Sequence, residues 1–161
     1  MPTPATHIWK PSAARTVTLD AFVPVPRGAT PAPAVIPSWP LKDPADLLDY
    51  QFDIAPALIG NDGDAIATLD IAITPSNPGD LALTATSADG TRAVLWLGGG
   101  QIGVTYVVSL SIGTQAGRSL ARSVLLPVAQ LALPVSVAGS LTTSDGIILT
   151  DQNGSPILAG P

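Results

Sequence analysis

Ten of the 17 prolines of this chain lie within its first 44 residues. Proline has no amide hydrogen to donate and fixes φ near −65°, so such a stretch is excluded from helix and from the middle of a sheet. It is also too apolar for a solvated linker, because Trp9, Val17, Leu19, Phe22, Val23, Val25, Val35, Ile36 and Trp39 gain nothing from facing water. Residues 1–40 therefore read as an extended, proline-rich N-terminal arm that lies on a partner. Its three large aromatics, Trp9, Phe22 and Trp39, are the anchors expected at a protein interface; packing back onto the chain's own domain is the competing role.

Past Pro40 the residue types change. All twelve acidic residues of the chain are Asp, and Lys occurs only at positions 10 and 42, so the usual residues of exposed helix faces are nearly missing. Val, Ile, Leu, Thr, Ala, Gly and Ser dominate, as many short strands and tight turns require. Alternation of apolar and polar residues predicts strands over 50–54, 65–73, 81–87, 92–97, 104–112 and 119–126, separated by turn signals such as Thr74-Pro75-Ser76-Asn77-Pro78-Gly79 and Ser87-Ala88-Asp89-Gly90. Six or seven strands at this spacing imply an antiparallel β-sandwich over residues 41–128.

Two aromatics bear on the type of sandwich. Tyr106-x-Val108, after a glycine-rich turn, matches the placement of a tyrosine corner in an Ig-like fold; the competing reading is a large residue that simply fills a β-core. Trp96 is expected to cover that core from an adjoining strand. Residues 129–161 form a C-terminal extension in which Ile147–Thr150 and Pro156–Ala159 flank Asp151-Gln152-Asn153-Gly154, a pattern for a small hairpin. A lone hairpin is marginal in water and is expected to dock.

Chemistry is constrained by what is scarce. His7 is the single histidine and there is no cysteine, which leaves no His/Cys metal cluster, no disulfide framework and no compact Ser-His-Asp arrangement. No cofactor is expected. Asn61-Asp62-Gly63-Asp64 has oxygen ligands for a cation but lacks the twelve-residue calcium-loop pattern, and reads as a polar turn. Gly98-Gly99-Gly100-Gln101-Ile102-Gly103 lacks the Lys-Ser/Thr of a phosphate loop and precedes a strand. Arg118 and Arg122 read as solvated edge charges rather than partners for a neighbouring subunit. With net charge −5 and scattered basic residues, no nucleic-acid surface is expected, and no apolar run is long enough to span a bilayer.

The order and spacing of Lys42-Asp43-Pro44, Leu48-Asp49-Tyr50, Asp53, Trp96-Leu97, Gly99-Gly100, Gly103, Tyr106-x-Val108, Thr114, Gly117-Arg118 and Arg122-Ser123 resemble the Ig-like domain of tailed-phage virion proteins of the fiber-tail adaptor type. The likeness spans residues 41–128; Ile54 and Ala57 stand where tryptophans are expected. It implies a non-enzymatic structural component of the virion, made in the host cytoplasm, that attaches tail fibers or spikes to the tail. The implied partners are tail tube or nozzle, tail fiber and copies of itself. Capsid decoration (a head fiber or cement protein) and an Ig-like carbohydrate- or surface-binding module are the alternatives, the last requiring an aromatic platform built from Trp96, Tyr50, Phe52 and Tyr106.

Overall fold

A computed structural model of the chain describes residues 11–19, 27–28, 30, 35–132, 139–144, 147–152 and 155–159. It divides into two compact units, Met1–Gln130 and Leu131–Pro161.

The first unit is a β-sandwich. Seven strands follow in chain order: β1 (Thr16–Thr18), β2 (Leu47–Asp53), β3 (Ile66–Thr74), β4 (Leu81–Asp89), β5 (Arg92–Gly99), β6 (Thr105–Thr114) and β7 (Ser119–Pro127). They make a four-stranded sheet in the order β1-β2-β5-β4 and a three-stranded sheet in the order β3-β6-β7. Strands β2 to β7 coincide with the six runs expected from alternation, each within a few residues. Alternation also sets which side chains face inward. Along β6, Tyr106, Val108, Leu110 and Ile112 are buried while Thr105, Val107, Ser109 and Ser111 are not; along β2 and β5, Tyr50, Phe52, Ala93, Leu95 and Leu97 face them.

Both sheets gain an edge from the proline-rich region, which alternation did not reveal. Thr16–Thr18 pairs in parallel with Gln51–Asp53, and the Leu19 amide continues the pairing by donating to Asp53. On the other sheet, residues 37–42 run parallel to the end of β7: Leu125 N–H donates to Pro37 O, Trp39 N–H to Leu125 O, and Lys42 N–H to Pro127 O. Trp39 and Lys42 supply the donors, so the missing amide of Pro40 costs no ladder bond; an edge position is where a sheet tolerates proline. The boundary expected at residue 40 therefore falls inside a paired segment, and residues 16–19 and 37–40 of the arm are pieces of the sandwich.

Trp39 carries the largest correction. It is 2% exposed and packs its indole against Tyr50 (centroids 4.7 Å apart) and Phe52 (5.1 Å, edge to face), so it serves the core of its own chain and not a partner. Trp96 is displaced from the role expected of it. Leu95 and Leu97 on either side point into the core, and a pleated strand turns the residue between them to the outer face, where Trp96 is half-buried opposite Asp49.

The second unit contains the expected hairpin, closed by the Thr150–Pro156 bridge, as one of three equivalent pairings; the others are Thr142–Ile148 and Ser140–Leu158. The hydrogen bonds form a closed cycle. Leu149 N–H donates to Leu141 O, Ile157 N–H to Leu149 O, and Leu141 N–H to Ile157 O, each at 2.8 Å. Three further equivalent bonds flank it: Thr143 N–H donates to Ile147 O, Asp151 N–H to Ser155 O and Ala159 N–H to Gly139 O, at 2.7–2.8 Å. Three segments eight residues apart, with positions 141, 149 and 157 equivalent, thus close on each other and leave no free sheet edge between them.

Candidate interface surfaces and the ties that hold them

Three polar ties hold the loops at the two ends of the sandwich. The first is built on Lys42, whose side chain is fully buried (0% exposed). Its ammonium donates to the carbonyls of Asp43 (2.8 Å) and Gly99 (2.9 Å), joining the paired segment 37–42 to the end of β5. Burial pulls its pKa below the usual lysine value against the opposing charges of Asp46 and Asp43. Next to it, Gly100 has φ +105°, and a Cβ there would lie 2.9 Å from Val128 Cγ2, so glycine is required twice over.

The second tie is the tyrosine corner. The buried Tyr106 hydroxyl accepts from Gln101 N–H (2.9 Å) and donates to Asp80 Oδ1 (2.8 Å), binding the β5–β6 loop to the β3–β4 turn. The bond back to the backbone five residues upstream is what separates a corner from a merely bulky core residue. Asp80 also accepts from the Asn77 amide; that bond first, and the Tyr106 hydroxyl second, hold its carboxyl below the usual range.

At the opposite end, Asn61 to Asp64 is tied to the β6–β7 turn. Asp64 Oδ1 accepts from Ala65 and Ala116 amides, and Oδ2 from the Thr114 hydroxyl (2.9 Å) and Arg118 Nη1 (2.6 Å). Arg118 Nη2 also donates to Asn61 Oδ1. Burial pushes the Asp64 carboxyl up, but the donors from Ala116, Thr114, Arg118 and Ala65 together outweigh it and its pKa lies below normal. The carboxylate that sequence offered as a cation ligand is thus occupied by protein donors, and Arg118, expected to be a solvated charge, is its partner. Among the described residues no group of three His, Cys, Asp or Glu side chains could hold a metal, and no helix is long and apolar enough to cross a membrane.

These ties were not legible as ties, although Lys42, Gly99, Tyr106, Thr114 and Arg118, which take part in them, are among the residues on which the family resemblance rests. They latch the frame and are not offered to a substrate. A shallow hollow of about 410 Å³ over the outer face of the three-stranded sheet is lined by Asp70, Ala72, Ser109, Ser111, Ala121 and Arg122, a shelf of short side chains without an acid–base pair.

Surface apolar residues gather elsewhere. Leu41, next to Lys42, Leu47, paired with Gly98 near the end of β5, and Ile102, in the β5–β6 loop, are exposed. In the second unit Leu141, Ile147, Leu149, Ile157 and Leu158 are exposed. Of the interface anchors read from the sequence, Trp39 is buried, while Trp9 and Phe22 lie outside the described residues, as does His7. Tyr50, Phe52 and Tyr106 are also buried, which removes three of the four aromatics from a carbohydrate platform.

A family model described as Podophage GP4 fiber-tail adaptor protein gp77 matches residues 42–127, more than half of the chain. The matched span opens on the buried Lys42 and closes with β7. A search of curated proteins gives no match. Among solved structures, the solution structure of the PKD domain from KIAA 1837 protein is similar over 68% of this chain and 100% of its own, at 22% identity and a TM-score of 0.36.

Proposed function

Because the chain belongs to the podophage GP4 fiber-tail adaptor family, we propose that it works in the virion as a non-enzymatic connector that joins tail fibers to the tail. The observation that carries this reading is the coincidence of the family match with the latched sandwich. The matched span is, in this chain, a frame in which Lys42, Tyr106 and Asp64 hold its own loops. A latched frame with exposed apolar groups at its loops, followed by a unit with its own, suits a part that binds two other proteins.

In this reading Leu41, Leu47 and Ile102 face one virion neighbour, a tail protein or another copy of the chain. The C-terminal unit faces the fiber. Trp9 and Phe22 remain interface residues of the proposal, and the arm's contribution is confined to its part outside the sandwich.

The test is a phage in which the gene for this chain is disrupted and supplied from a plasmid. Without the plasmid, particles purified from lysates should have tails lacking fibers by negative-stain microscopy, and the intact gene should restore them. Fully fibered particles in the absence of the chain would overturn the connector role, and particles whose only defect is in the capsid shell would replace it with capsid decoration.

A further inference from the structure

The second unit presents one motif three times. Leu141, Leu149 and Ile157 occupy equivalent positions in the hydrogen-bond cycle and are 42%, 41% and 41% exposed. The residues before them, Ser140, Ile148 and Pro156, are each half-buried, and the residues after them, Thr142, Thr150 and Leu158, are each exposed. Exposure, bonding and spacing thus agree position by position around the ring. None of the described residues of this unit is buried, so the ring closes its backbone hydrogen bonds while the apolar side chains described on it stay at least partly in water. Apolar side chains left in water on so small an assembly favour a cover.

The cover has to suit three equal apolar patches around one axis, in a stretch whose only charges are Asp145 and Asp151. An asymmetric partner can satisfy one patch and leave two in water. A partner that repeats its own surface around a three-fold axis satisfies all three with one kind of contact. We propose that residues 139–159 are a three-fold plug that seats one copy of this chain on the axis of a homotrimeric virion protein, each subunit of the trimer meeting one of Leu141, Leu149 and Ile157. The inference rests on the connector reading, which makes the tail fiber the trimer concerned.

The chain contains no cysteine, so single-cysteine variants give unambiguous cross-links. The full-length chain carrying Leu141→Cys, Leu149→Cys or Ile157→Cys, each labelled with a maleimide–benzophenone, is mixed with the purified tail-fiber protein of the same virion, irradiated and mapped by mass spectrometry. All three positions should cross-link to the same residue of the fiber subunit, and native mass spectrometry should find one chain per three fiber subunits. Leu149→Asp should weaken binding by about tenfold or more, whereas Gln152→Asp, exposed but off the equivalent positions, should not. Three different cross-linked residues, a one-to-one complex, a complex with further copies of this chain in place of the fiber, or no complex with the unmodified chain would each overturn the plug. Fibers lost from particles lacking the chain, together with any of those results, would leave the connector reading standing and remove only the plug.

Discussion

At the scale of single residues, the core depends on a tryptophan that arrives from outside the alternating region. Trp39→Ala, leaving a cavity against Tyr50 and Phe52, should destabilise the sandwich by about 3–5 kcal/mol in denaturant melts. Trp39→Phe should cost well under half of that. The indole Nε1–H is buried without a hydrogen-bond partner among the described residues, and removing a donor in that state returns part of a penalty of about 1–3 kcal/mol. Equal losses for both variants would show that Nε1 is satisfied in solution. Asp64 gives a pH signature. Its folded pKa lies below the ordinary carboxylate value, so its contribution to stability is fully present above the unfolded value near 4 and is lost as pH falls through the lower folded value. Asp64→Asn should lower stability at neutral pH and flatten that acid limb, leaving Arg118 without its carboxylate; an unchanged acid limb would mean the tie is not formed. Much of this was beyond reach of a linear reading, since Asp64 and Arg118 meet only after two sheets have formed. The inward and outward sides of β5 were within reach, because Leu95-Trp96-Leu97 alternates and two leucines outvote one tryptophan for the core.

At the scale of elements, strands β2, β3, β5, β6 and β7 were readable because each packs one face on the core and alternates accordingly, whereas β4, exposed beyond Leu81, was readable only from its residue types and the turn signals that flank it. The two parallel edges were not. Proline content argues against a strand in general, but not against an edge whose non-bonding positions carry the proline. A consequence can be measured. A fragment of residues 45–128 retains every antiparallel strand yet lacks Trp39, Lys42 and the pairing of 37–42 with β7. It should melt at a distinctly lower denaturant midpoint than residues 11–130, or fail to show a cooperative transition. Equal midpoints would mean that the parallel edges contribute nothing. The C-terminal ring was half legible. Asn153-Gly154 announced one hairpin, while the eight-residue recurrence of Leu141-Thr142 and Leu149-Thr150 signals the other pairings and is visible only when the repeat is sought.

At the scale of the whole molecule, the chain joins a frame whose loops are held by buried polar ties to a ring none of whose described residues is buried, which is a sensible distribution for a connector. The two ought to differ in amide exchange. Backbone amides of β2, β5 and β6 should be protected to the level of global unfolding, and those of the ring should exchange orders of magnitude faster until the partner is bound. Ring amides as slow as those of β6 in the free chain would count against a ring that relies on external cover. The pairing of Pro37–Lys42 with the end of β7 also has a temporal side. This segment leaves the ribosome before β2 to β7, and its partner strand is the last of the seven to appear. Tyr50 and Phe52, the ring partners of Trp39, follow it closely in the chain, but the backbone of the segment that carries it has no strand to pair with until β7 is made, so the sandwich is completed by an early segment closing against a late one.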